Sequence, residues 1–179
     1  MKAIMFILSL LVIGSMAFAW NEPTGFRDIP WGSTEQVLQA KLKAAILCRN
    51  VSRNALPERV CEGHITIGPV PVKGGFWFRS GRFVGVSLRF YPKDFLIMEA
   101  SFVERYGSPT SVEEEPIKTH EGLQETNRTV LWIGSNVRIT LQKYGSVDAG
   151  SIADIATMAE HEGRVKRKLQ ELGRGAKDL

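Results

Sequence analysis

The residues with most chemistry to offer are two cysteines, Cys48 and Cys61, and three histidines, His64, His120 and His161. Twelve residues separate the thiols, so they form no C-x-x-C redox pair. A thiol needs a neighbouring base to become a strong nucleophile, and nothing in the spacing places any histidine beside one. A hydrolase or thiol enzyme using Cys61, His64 or an acidic pair is the catalytic alternative. Two sulfurs and one imidazole fall short of the four ligands of a structural zinc site. In an oxidising compartment an even cysteine count reads as a structural disulfide, Cys48 to Cys61. Glu113-Glu114-Glu115 lacks the alternating ligand spacing of a calcium loop and reads as a solvated loop. Gly74-Gly75 reads as a hairpin turn rather than a phosphate cradle. The chain carries no nucleophile elbow, zinc-protease helix, P-loop or dinucleotide fingerprint. No catalytic residue, metal ligand or cofactor is assigned from the sequence.

Recognition is the other chemistry on offer. Arg27 and Asp28 before Trp31 make the most distinctive polar cluster, either a recognition patch or an ion pair pinning the lead-in over the domain. Trp77 is the second candidate. Side chains alternate along a strand, so Trp77 cannot share a sheet face with Phe76 and Phe78. The phenylalanine pair is the larger apolar payload and is expected inside. Something must then cover Trp77: a bound partner, or the C-terminal helix through Val165, Leu169 and Leu172. The possible recognition surface is thus Arg27, Asp28, Trp31 and Trp77.

These residues need elements to hold them. Met1-Lys2, an uncharged stretch from Ala3 to Phe18, and Ala17-Phe18-Ala19 read as a cleavable secretory signal over residues 1–19. The stretch is shorter than the roughly 20 residues a membrane-spanning helix requires. Residues 20–146 read as one domain and 147–179 as a C-terminal basic helix with a frayed tail. The formal charge of +4 is mild, and its Lys and Arg residues are scattered except near the C-terminus. No nucleic-acid footprint stands out.

Within the domain, Ser33 with Gln36 suggests a capping box, and Leu38, Leu42, Ala45 and Ile46 a helix over about 34–47. Arg49 to Glu62 reads as a loop pinned by the cysteines. A strand over Ile65 to Val72, another at Phe76-Trp77-Phe78 and a third from Phe83 to Phe90 follow. Asp94 caps a second helix over about 94–106, stopped by Gly107 and Pro109. After a polar stretch, 113–127, a hairpin pairs Val130–Ile133 with Val137–Gln142. From Ser151 an amphipathic helix carries Ile155, Met158, Val165, Leu169 and Leu172 on an approximate heptad stripe, broken by Glu162 at the intervening position, beside Arg164, Lys166, Arg167 and Lys168. The order is a helix-then-meander unit, loosely duplicated. It predicts an α+β fold in which an antiparallel sheet carries two helices on one face, plus the C-terminal amphipathic helix.

Gly25-Phe26-Arg27-Asp28-Ile29-Pro30-Trp31-Gly32-Ser33 resembles the opening of small exported bacterial proteins of unknown function, in which an F-R-x-I-P-W-G stretch precedes the first helix. Arg105-Tyr106-Gly107-Ser108-Pro109 and Leu131-Trp132 are similar to that group as well. The helix-then-meander order is similar to beta-lactamase-inhibitor-protein-like periplasmic domains. The resemblance implies export to the periplasm or beyond and transfers no activity. The expected function is a non-catalytic exported interaction or accessory protein with an envelope protein partner. A further alternative is an envelope-surface protein attached weakly to the membrane through the basic C-terminal helix.

Overall fold

Alternation of apolar and polar residues builds most of this molecule. The computed structural model describes residues 20–51, 57–118, 122–145 and 150–175. The expected signal segment, residues 1–19, and His120 lie outside them. A short ribbon comes first, β1 (Gly25–Phe26) with β2 (Ile29–Pro30). Then follow α1 (Glu35–Leu42) and a four-strand meander: β3 (Ile46–Asn50), β4 (Arg59–Ile67), β5 (Val70–Arg79) and β6 (Arg82–Phe90). A second such unit has α2 (Phe95–Tyr106), β7 (Ser111–Lys118), β8 (Gln124–Ile133), β9 (Val137–Gln142) and β10 (Ser151–Thr157). The helix α3 (Met158–Gly175) follows.

The eight long strands form one antiparallel sheet in the order β3-β4-β5-β6-β10-β9-β8-β7. Each meander is a contiguous half, and the halves meet where β6 pairs with β10, Leu88 opposite Ala153 and Val86 opposite Ile155. The two units therefore relate by an approximate two-fold at this seam. The α+β fold expected from the sequence, with a loosely duplicated helix-then-meander, is the fold observed.

One face carries the core. Leu38 and Leu42 of α1, with Phe95, Met98, Phe102 and Tyr106 of α2, pack on Phe76, Phe78, Val86, Leu88, Trp132 and Ile155. Burying aliphatic and aromatic surface at about 25 cal/mol per Å² is the main force holding this layer together. Arg128 of β8 adds a polar clamp, bonding Glu99 of α2 through Nε and Nη2 at 3.0 and 2.8 Å and Glu114 of β7 at 2.6 Å.

Several boundaries differ from the sequence expectation. The first helix ends at Leu42 because Lys43 adopts a left-handed conformation, φ 51°, that turns the chain into β3. Its N-cap is Thr34, with no side-chain capping bond, so the Ser33–Gln36 capping box does not form. Asp94 sits at the N-cap of α2, again without a capping bond from its side chain. Arg49 to Glu62 is not all loop: Asn50 and Arg59 already pair across β3 and β4. Gly74-Gly75 lies mid-strand in β5, and the hairpin turn falls instead between Ile67 and Val70. The glutamates 113–115 lie in the edge strand β7, so they are not a loop. Ser151–Thr157 is a strand, and the C-terminal helix begins seven residues later than its apolar spacing suggested.

Candidate functional site

Cys48 and Cys61 face each other across β3 and β4 and are joined by a disulfide. Neither residue is a free thiol. The thiol-enzyme alternative thus loses its nucleophile. His64, three positions along β4, points to the other face of the sheet and is exposed. Glu35 approaches both sulfurs, but bonded sulfurs are not thiolate ligands, and Arg59 holds the Glu35 carboxylate at 2.6 Å. That hydrogen bond outweighs burial and keeps Glu35 below its ordinary pKa.

The recognition candidates do not gather in one place. Arg27 takes the left-handed turn position between β1 and β2, and its guanidinium donates to the carbonyl of Thr66. Asp28 pairs with Lys41 of α1 at 3.7 Å, so the lead-in is pinned through Lys41 rather than by an Arg27–Asp28 pair. Trp31 donates from Nε1 to the carbonyl of Pro23 and stacks at 5.0 Å on Phe83. These three lie with the core layer. Trp77 is on the second face, because Phe76 and Phe78 are fully buried on the first.

Trp77 is the floor of a cleft of about 300 Å³ on that second face. Its indole lies flat on the sheet because Gly85 is directly opposite on β6. A Cβ at Gly85 would sit 2.6 Å from the ring carbon Cε3. Above the ring, the guanidinium of Arg164 from α3 lies 4.2 Å from its centroid. A cation over an indole face is attracted by the ring quadrupole. The helix α3 does cover Trp77, leaving it 7% exposed, but through Arg164. Val165, Leu169 and Leu172, expected to do this, are 45%, 63% and 63% exposed.

The cleft walls are charged. Arg49, Lys73, Arg89 and Arg164 face Glu62 and Asp154, four cations against two carboxylates. Glu62 is shared between Arg49 at 3.6 Å and Lys73 at 3.8 Å. Asp154 of β10 lies between Ser87 of β6 and Thr140 of β9 and approaches Arg164 at 3.8 Å. Burial pushes its pKa up, against the pull of Arg164, Ser87 and Arg89. Lys73 and Arg89 are direct cross-strand partners. Like charges so placed repel.

Beside the cleft, α3 is fixed by a buried ion pair. Glu160 is 1% exposed and meets Arg79 of β5 at 2.6 Å. Burial raises its pKa; Arg79, Arg164 and Arg167 oppose that, and Glu58 adds to it. Gly163 makes room for the pair, since a Cβ there would lie 2.6 Å from Arg79 Nη2. His161 on the same helix has its pKa lowered by burial and by Arg138 and Arg164.

The sequence reading missed Asp154, Glu160, Arg164 and Arg89 as site residues. Period-two spacing from Trp77 would have found the strand members, since Lys73, Gly75 and Trp77 share a face, as do Gly85, Ser87 and Arg89. Compared with known proteins, the chain matches no family model, no curated protein and no solved structure.

Proposed function

We propose that this protein is a non-catalytic exported interaction protein that holds an anionic group of an envelope partner in the Trp77 cleft. Lys73 opposite Arg89 carries the reading. Two cations set against each other on neighbouring strands cost stability unless an anion offsets them. Glu62 offsets Lys73 only at 3.8 Å and divides itself with Arg49. A carboxylate entering from a partner would meet Arg89 as a fork of N–H donors and the Trp77 region as an apolar floor.

Export rests on the leader, residues 1–19, and agrees with a disulfide of the kind that oxidising compartments sustain. Protein recovered from outside the cytoplasm is expected to begin at Trp20. An uncleaved chain in that fraction counts against export as a free protein.

The binding test is affinity capture from the envelope fraction of the source cell, with wild type and Arg89→Glu immobilised side by side. A partner retained by wild type and lost by Arg89→Glu supports the cleft. Equal capture by both places recognition elsewhere.

A further inference from the structure

The helix α3 is docked with its polar side inward. Glu160 is buried against Arg79, and Arg164 reaches over Trp77 towards Asp154. Val165, Leu169 and Leu172, spaced four and three residues apart, form one stripe that faces outward. Lys166 and Lys168 flank it and are exposed; Glu162, also exposed, lies on the same face one turn before Lys166, so the two lysines outnumber the one carboxylate. An amphipathic helix ordinarily turns its apolar side to the core. Here ion pairs hold the helix, and the apolar stripe has no cover among the described residues.

We propose that this outward face of α3 docks on an anionic phospholipid surface. Three aliphatic side chains fall well short of the roughly 800 Å² per partner that a stable protein interface buries. A second copy of the chain fits poorly, because pairing the stripes brings Lys166 and Lys168 against their own counterparts. A lipid surface suits both features. Aliphatic side chains enter the headgroup boundary, while flanking lysines meet phosphate. The helix has 18 residues, and no helix among the described residues is long and apolar enough to cross a membrane. The face therefore lies on the surface and does not span it. The stripe lies on the side of α3 away from the cleft, which Arg164 walls from the same helix.

The test is vesicle co-sedimentation with two lipid compositions, pure phosphatidylcholine and phosphatidylcholine mixed with phosphatidylglycerol. Wild type, Leu169→Asp, Leu172→Asp and Lys166→Glu are compared in the same chain, so any contribution of residues 1–19 is common to all. All three substituted residues are exposed, and an unchanged thermal midpoint verifies the fold of each variant. The expected result is sedimentation with the mixed vesicles that falls at raised salt, weakens about thirtyfold in affinity in Lys166→Glu and is lost in either aspartate variant. Arg89→Gln, which alters the cleft and leaves the Trp77–Arg164 contact in place, sediments as wild type does, which separates this docking from ligand binding. Failure to sediment with the mixed vesicles overturns the proposal and leaves the stripe to an acidic protein surface. Equal sedimentation with pure phosphatidylcholine, or none of the expected loss in the aspartate variants, also overturns it.

Discussion

Gly85 is a single residue on which the second face depends. The indole of Trp77 lies where a side chain at position 85 would be, with the carbonyl of Ile155 3.0 Å away on the other side. Gly85→Ala must lift the indole or bend the seam. Forced overpacking of this kind costs about 1–3 kcal/mol. Urea unfolding should show that loss, with a red-shifted tryptophan emission in the native state. An unchanged emission and midpoint would mean that the indole does not rest on the strand. The disulfide acts differently, by restricting the unfolded chain. Loops of this length contribute about 3 kcal/mol. Replacing Cys48 and Cys61 together by serine should lower the unfolding free energy by about that amount and leave the far-ultraviolet dichroism unaltered. A loss under about 1 kcal/mol would show that the unfolded chain gains little freedom when the bridge is removed.

At the scale of elements, α3 is attached by charges, and charges titrate. Glu160 and Asp154 have folded pKa values above their ordinary ones. The native state therefore binds their protons more tightly than the unfolded chain does. Their contribution is fully present below the ordinary carboxylate range and is lost as pH rises through the raised values. Glu22 and Glu35 run the other way. Burial opposes ionisation of Glu22, but the backbone N–H groups of Asn136 and Val137 hold its pKa down. Contributions from Glu22 and Glu35 are present above the ordinary carboxylate range and vanish as pH falls through their depressed values. The carboxylates therefore favour the fold most within the ordinary carboxylate range, about pH 4, and less towards neutrality, a decline that His161, with its lowered pKa, partly offsets. Urea midpoints across this range check it, and Glu160→Gln should flatten the decline. Arg79→Ala leaves Glu160 buried without its nearest cation. Breaking a buried pair costs about 3–5 kcal/mol, and that loss should appear in the same urea assay.

Legibility also varied by element, for reasons of register. Val84 to Phe90 alternates strictly and was readable as a strand, and Phe95, Met98, Phe102 and Tyr106 keep a helical stripe that was equally plain. The strand Ser151–Thr157 was not. Ile155 and Met158 are three apart, which mimics a helix, because β10 runs directly into α3 and the apolar spacing of the helix extends back across the junction. Residues 43–47 were drawn into the first helix because Ala45 and Ile46 continue its spacing past Lys43. The edge strand β7 looked like a loop because its charges face solvent on both sides of the chain, a usual feature of edges. Of the site, the sequence placed Trp77 correctly opposite its phenylalanine neighbours. It could not supply Arg164, whose approach depends on how α3 crosses the sheet.

For the whole molecule, the seam between β6 and β10 decides which truncations survive. Ending the chain at residue 157 removes α3 and keeps all eight strands, so a folded, less stable sheet should remain by dichroism and thermal melting. Ending it at residue 146 removes the strand that joins the halves. The core then loses Ala153 and Ile155, and β6 and β9 are left with open edges. That shorter chain should fail to fold cooperatively. If it melted with a sharp transition, the two meanders would be independent units and the seam merely a contact.

The strand that closes the sheet is also the one that follows every other strand in the sequence. A ribosome delivers the residues of both flanking meanders before those of the strand that joins them. The nascent polypeptide stays open until β10 is free, a delay set by topology with no need of slow chemistry. During that delay the unpaired edges of β6 and β9 invite a holding chaperone, or another chain. If the chain is exported as proposed, through a narrow channel and unfolded, the lateness of its keystone is a timer written into strand order.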